Sequence, residues 1–273
     1  YSKDRVRNVY NILRYHPWDS AREQLGSLDY RWDSFTVTQV LKAHPPMEKA
    51  WLFFNWASRN KNVKHDHYTY TTMMDIFGEA NRIPSMLFLF RRMKEKKLKI
   101  DAVTYTSLMH WTSNSGDIDG AVELWEEMKG KRLSPTVVSY TAYIKILLRG
   151  ERSKEAMDVF KEMIESGLSP NRFTYTVLME YLASSGKFDE AMAIFDQMQE
   201  AGEKPDKPAC NVLIEACCRA GEVKTMAKIL QYMKENLVVL RHPVYRKALE
   251  TLEKAGESAA LLREANPHFC RDH

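Results

Sequence analysis

Long apolar runs are missing from this 273-residue sequence. No stretch approaches the ~20 residues that a helix needs to cross a bilayer, so no membrane partner is expected. Cysteine is scarce. Cys210, Cys217, Cys218 and Cys270 form no CxxC pair, and three of them fall within one expected helix. That argues against a disulfide framework and a structural zinc site, and for idle thiols in a reducing compartment. Glycine (11) and proline (10) are few beside 44% hydrophobic and 28% charged residues, a folded and helix-tolerant composition rather than a disordered one. An excess of one charge is also lacking. Forty basic against 36 acidic residues leave a formal +4, which by itself does not argue for nucleic acid. His16, His44, His65, His67, His110, His242, His268 and His273 are scattered, with no HExxH and no HxE followed by CxxC. The metalloprotease and zinc-deaminase signatures are therefore absent. The expectation is a non-enzyme with no metal, no cofactor and no small-molecule substrate. The chain opens at Tyr1 rather than Met, so a targeting leader would lie outside it.

What the sequence does contain is a period of 35 residues. Tyr70, Tyr105, Tyr140 and Tyr175 recur at that step and Tyr245 returns to it, with Cys210 substituting once. Met93, Met128, Met163, Met198 and Met233 keep the step, as do Phe90, Trp125, Phe160, Phe195 and Leu230. Gly116, Gly186, Gly221 and Gly256 form a fourth series, and Pro135, Pro170 and Pro205 a fifth. A fixed period of this size marks a repeat architecture, in which each unit buries its apolar face only against its neighbours.

Each unit reads as two amphipathic helices. In 102–136 the first is expected to start at Thr104 as N-cap and to bury Tyr105, Leu108 and Met109. Gly116 ends it. The second runs from about Ile118 to Lys129 with Ala121, Val122, Leu124, Trp125 and Met128 on its apolar face, and Pro135 bars continuation. The predicted fold is an all-α, right-handed superhelical solenoid of antiparallel helical hairpins. Its divisions are an N-terminal helical cap (1–31), a degenerate repeat (32–66), five repeats (67–101, 102–136, 137–171, 172–206, 207–241) and a C-terminal partial repeat or cap (242–273). In the degenerate unit Phe35 is assigned the tyrosine phase, and the second helix (50–57) is shifted by about one residue.

Runs such as TYTSLMHWTSNSGDIDGAVELWEEMKGKRLSP and FTYTVLMEYLASSGKFDEAMAIFDQMQEAGEKPD resemble pentatricopeptide repeats of the plain 35-residue type, over roughly residues 32–265. The resemblance implies single-stranded RNA as partner, read at one base per repeat. It assigns the reading to the fifth and last residues of each unit. Here these pair Thr36 with Asp66, Thr71 with Asp101, Thr106 with Thr136, Thr141 with Asn171, Thr176 with Asp206, and Asn211 with Arg241. A hydroxyl donates and accepts, a carboxylate only accepts, and an amide does both. By the family's pattern, Thr with Asp reads guanine and Thr with Asn reads adenine. The implied preference is G-G-purine-A-G, running N to C along the chain and 5′ to 3′ along the RNA.

The family's second position clamps each base between apolar side chains, here Tyr68, Val103, Val138 and Phe173. Pro208 is weaker and Asp33 departs from the pattern, as does Arg241 from the code. Lys145, Arg149 and Arg219 are candidate phosphate contacts, opposed by Asp75, Glu79, Glu180 and Glu215. The resemblance further implies an adaptor for splicing, stabilisation or processing of transcripts in a chloroplast or mitochondrion. Five bases are little information, so a homodimer or a protein partner in a larger complex is the expected supplement. The second reading is a protein-interaction scaffold of an organellar ribonucleoprotein, ribosomal or transcription assembly that retains a vestigial code.

Overall fold

The computed structural model describes residues 3–270. These hold sixteen α-helices, a short 3₁₀ turn at Pro267–Cys270 and no strand. No helix is long and apolar enough to cross a membrane. The chain forms two compact units, one ending at Arg152 and the other starting at Ser153.

The first unit contains α1 (Lys3–Tyr15), α2 (Trp18–Ser27), α3 (Ser34–Lys42), α4 (Met47–Ala57), α5 (His67–Glu79), α6 (Ile83–Glu95), α7 (Ala102–Asn114), α8 (Ile118–Gly130) and α9 (Val137–Arg149). Helices α1, α3, α5, α7 and α9 pack each against the next, so the leading helices of successive hairpins make one row. Helices α4, α6 and α8 each bridge their own leading helix and the following one. The second unit contains α10 (Ser153–Glu165), α11 (Arg172–Ser184), α12 (Phe188–Glu200), α13 (Lys207–Ala220), α14 (Val223–Glu235), α15 (His242–Ala255) and α16 (Ala260–Ala265). There α11, α13 and α15 form the row, with α12 on α11, α14 on α13, and α16 packed on α14.

The tyrosine and Phe/Trp series meet in the core. Phe90 and Tyr105, Trp125 and Tyr140, and Phe160 and Tyr175 each pack edge to face, with centroids 5.4, 5.1 and 5.9 Å apart. Such a pair adds about 0.5–1.5 kcal/mol beyond the area it buries. Where Cys210 interrupts the series, Tyr232 of α14 packs edge to face on Phe195 at 5.1 Å and donates its hydroxyl to the Pro205 carbonyl. Burial pushes the Cys210 and Cys217 thiols up to about 12, so both behave as small apolar side chains.

From α3 on, each leading helix ends in a left-handed residue, His44 (φ 53°) after α3. Gly116, Gly186, Gly221 and Gly256 hold positive φ there, and Asn81 (φ 56°) and Glu151 (φ 57°) take the same position without being glycine. Close approach explains Gly78, where an added Cβ would lie 2.2 Å from Cγ of Trp111.

Three expectations require correction. Helix α7 begins at Ala102, not Thr104, because Asp101 supplies the N-cap. Helix α4 starts at Met47 rather than near 50. The register of the degenerate unit is two residues out. Asp33 is the N-cap of α3 just as Asp66 is of α5, so 33 residues separate these caps rather than 35. Phe35 is therefore exposed instead of taking the tyrosine phase, which falls to buried Val37. Thr36 lies third after the cap, and Thr38 occupies the fifth-residue position.

Candidate nucleic-acid interface

The last residue of each unit is the N-cap of the next leading helix. Asp66, Asp101, Thr136, Asn171 and Asp206 each accept the backbone N–H three residues on, from Thr69 (2.9 Å), Thr104 (3.1 Å), Ser139 (3.2 Å), Thr174 (3.0 Å) and Ala209 (3.1 Å). Asp33 does the same with Thr36 at 2.8 Å. This satisfies one of the orphan donors of a helix start. It also decides what is left over. A capping Asp keeps one carboxylate oxygen, an acceptor, while Asn171 keeps its Nδ2, a donor. Burial pushes the Asp101 carboxyl up, but the bonds from Thr104 and the nearby Lys99 more than reverse this and hold it below the usual carboxylate range. It is therefore ionised at neutral pH and only accepts.

Two residues past each cap stands an exposed apolar side chain. Phe35 is 63% exposed, Tyr68 59%, Val103 71% and Val138 66% in the first unit, and Phe173 57% in the second. A helix start leaves this position outside the core, and burial gives no reason for large apolar residues there. In the corrected register Phe35 takes the same position as these exposed residues, and Asp33 is the cap before it.

The fifth residues differ in access. Thr71, Thr106 and Thr176 are half-buried, and their hydroxyls donate back to Tyr68, Ala102 and Arg172 carbonyls at 3.1, 2.6 and 2.8 Å. Thr141 is buried and donates to the Val137 carbonyl at 2.8 Å, and Thr38 is buried as well. Asn211 is fully buried with both ends of its amide used, donating to the Lys207 carbonyl (2.7 Å) and accepting the Arg241 N–H (2.9 Å). It anchors the start of α15. Arg241 itself makes no side-chain cap and lies 3.4 Å from Glu215.

A hydroxyl third after the cap joins the cap to the fifth residue of the preceding unit. The Thr38 hydroxyl lies 3.0 Å from that of Thr69, which donates to Asp66 at 2.9 Å. The Thr106 hydroxyl likewise meets Ser139 at 3.0 Å, and Ser139 lies 3.0 Å from Thr136. Sequence reasoning missed these bridges. The spacing of a cap followed three residues later by Thr or Ser carried the signal.

Cations and carboxylates share the leading helices. Lys145 and Arg149 are exposed on α9, with Arg149 donating to Asn114 at 2.7 Å. Arg219 on α13 reaches Ser184 at 3.4 Å. Burial and then Lys145 and Arg149 push the His110 imidazole below its usual value, with Asp75 opposing. The opposing acids are partly occupied. Asp75 accepts from the Ser107 hydroxyl and from the Trp111 indole (3.0 Å), and Glu79 lies 2.7 Å from His44. Among the described residues no cluster of His, Cys, Asp and Glu could hold a metal ion, and His273 lies outside them.

The model of the PPR repeat family matches residues 65–114, 101–149, 135–184 and 173–208, and a pentatricopeptide repeat domain model matches 193–239. Two pentatricopeptide repeat-containing proteins of Arabidopsis thaliana are similar. One is 65% identical over 95 residues, 35% of this chain and 16% of that protein, and the other 40% identical over 78 residues, 28% and 9%. The chain thus spans less than a fifth of the curated relatives it matches. Among solved structures it resembles the pentatricopeptide repeat protein PPR10, known from maize, in complex with an 18-nt psaJ RNA element. That likeness has 22% identity, 94% of this chain, 45% of the other and a TM-score of 0.55. It also resembles the PPR domain of Arabidopsis thaliana protein-only RNase P 1 in complex with tRNA, at 15% identity, 66% and 95% coverage and a TM-score of 0.56. At these identities the likenesses establish the helical-repeat fold.

Proposed function

Because the chain belongs to the pentatricopeptide repeat family, we propose that it binds single-stranded RNA in a sequence-selective way, one base per repeat, as an adaptor without catalysis of its own. The observation that carries this reading is the exposed apolar residue two places after each helix cap, beside a cap side chain with one polar group to spare. Bases stack on such residues, and the spare polar group selects among base edges. A spare carboxylate oxygen suits the donors of guanine's Watson–Crick edge. The spare amide N–H of Asn171 suits the ring-nitrogen acceptor of adenine. With Thr38 in place of Thr36, the pairs still read G-G-purine-A-G through Asp66, Asp101, Thr136, Asn171 and Asp206. Asn211 is fully buried and engaged with the backbone at Lys207 and Arg241, so the unit 207–241 reads no base. The transcripts are proposed to be those of a chloroplast or mitochondrion, where binding would serve splicing, stability or processing.

The test is fluorescence anisotropy of the purified chain with 3′-labelled GGAAG, its complement, a shuffled version and the DNA equivalent. Selective binding of the purine RNA is expected. Equal binding of all four would overturn base reading, and no binding would favour the protein-scaffold reading, to which the burial of Thr38, Thr141 and Asn211 lends weight.

A further inference from the structure

A pocket of about 240 Å³ lies at the start of the first unit, between α1, the segment before α3, and α3 itself. Its lining is Lys3, Arg5 and Val6 from α1, Tyr30 and Arg31 from the segment, and Phe35, Thr36 and Gln39 from α3. Three features set it apart from a generic cleft. Phe35 is the first of the exposed clamp residues, and the pocket lies toward α1, away from the rest of the row. A second aromatic, Tyr30, is held in place by a hydrogen bond from Asn8 (3.2 Å), by the Trp32 ring (6.0 Å) and by the Arg5 guanidinium over its face (5.1 Å). Three cations and, among the described residues, no carboxylate line it. Asp4, Asp29 and Asp33 are its neighbours along the chain, none of them part of the lining, and Asp33 gives one carboxylate oxygen to the Thr36 N–H.

Apolar walls, cations and two side-chain hydrogen-bonding groups at the edge are the recognition chemistry of a nucleoside phosphate. We propose that this pocket holds one further nucleotide, immediately 5′ of the base read by the first repeat. Its base packs against Phe35, Thr36 and Gln39 face its edge, and Lys3, Arg5 and Arg31 hold its phosphate. The inference rests on the RNA-binding reading and adds a site that the repeat pattern does not contain, since Tyr30, Arg31 and α1 lie before the first repeat. It makes the N-terminal hairpin part of the binding surface as well as a cap on the core.

The experiment compares 3′-labelled GGAAG with hexamers carrying one extra nucleotide at the 5′ or the 3′ end. The native chain is set against Arg31→Glu and Phe35→Ala, with melting temperatures checked because both residues are exposed. The 5′ extension is expected to tighten binding about tenfold and to steepen the salt slope by about 0.7. The 3′ extension should do neither. Arg31→Glu should abolish the gain while leaving pentamer affinity within about twofold, and Phe35→Ala should abolish the gain and weaken the pentamer as well. A pentamer that binds selectively with no gain from the 5′ nucleotide, or a gain that survives Arg31→Glu, overturns this inference and leaves the function standing. Failure of every RNA to bind overturns both. Adenosine monophosphate that removes the gain at micromolar concentration would assign the pocket to a free nucleotide and overturn its role at an RNA end.

Discussion

At position 206 one carboxylate oxygen takes the Ala209 N–H at 3.1 Å, while the other faces the Arg172 guanidinium at 3.4 Å. One oxygen caps the helix and the other pairs with Arg172, so the capping role and the proposed reading role separate by mutation. Asp206→Asn keeps a good cap, so the melting temperature should hardly move, while the spare group changes from acceptor to donor. Base preference at the matching position should shift from guanine toward adenine by about 1–3 kcal/mol. Asp206→Ala removes both groups and should in addition lose about 1 kcal/mol of stability in a denaturant titration. An Asn variant with unchanged preference would mean that this residue only caps. The sequence exposed the identity of these residues through their period and offered capping as the ordinary role of an Asp before a helix, but Thr104, itself a good cap type, displaced the cap of α7 by three places. The sequence hid which fifth residues are reachable. Thr71 and Thr141 look alike in sequence, yet one is half-buried and the other buried, a difference made by packing.

Among the elements, the hairpins with a full 35-residue step were legible because five residue series agree on it, and each series has a physical job. The tyrosines and Phe/Trp residues pair edge to face, and the glycines take positive φ. Helix α3 was not legible. It has 9 residues where α5 has 13, and its cap lies only 33 residues before the next. A periodic reading therefore placed Phe35 in the core and Thr36 at the reading position. The turn after α9 supports a prediction of its own. Glu151 holds φ 57° where four equivalent units have glycine, and a non-glycine residue there costs about 1 kcal/mol. Glu151→Gly should raise the unfolding free energy by about that amount, with no change in RNA affinity. A loss of stability would show that the Glu151 side chain contributes contacts worth more than the strain.

Taken as a whole molecule, the chain nearly balances its charges, with 40 basic and 36 acidic residues. If Lys145, Arg149 and Arg219 are the phosphate contacts, a log–log plot of affinity against salt should have a slope near −2 for the pentamer. A slope near zero would remove these cations from the interface. Stability has its own electrostatic signature at the junction of α6, α7 and α8. Burial pushes the Glu127 carboxyl up, but Lys94, Lys131 and the Tyr105 hydroxyl outweigh this and hold it down to about 2, from an ordinary value of 4.5. A carboxyl lowered on folding favours the native state above its unfolded value, and that contribution is lost as protons bind below it. The melting temperature should therefore fall between pH 4.5 and about 2, and Glu127→Gln should flatten part of that fall; an unchanged pH profile in the variant would remove Glu127 as its source.

Whole-molecule specificity is where the sequence is least informative. A five-base site recurs once per ~10³ nucleotides, so these five bases need a supplement to define one target. The extra nucleotide at the Phe35 pocket lengthens the site but does not remove that need.

The most direct measurement is selection of bound RNAs from a pool carrying a random window, followed by sequencing. Enrichment of G-G-purine-A-G, read 5′ to 3′, is the predicted result. An unenriched pool, or a motif that ignores the Asp and Asn caps, would contradict base reading by this chain.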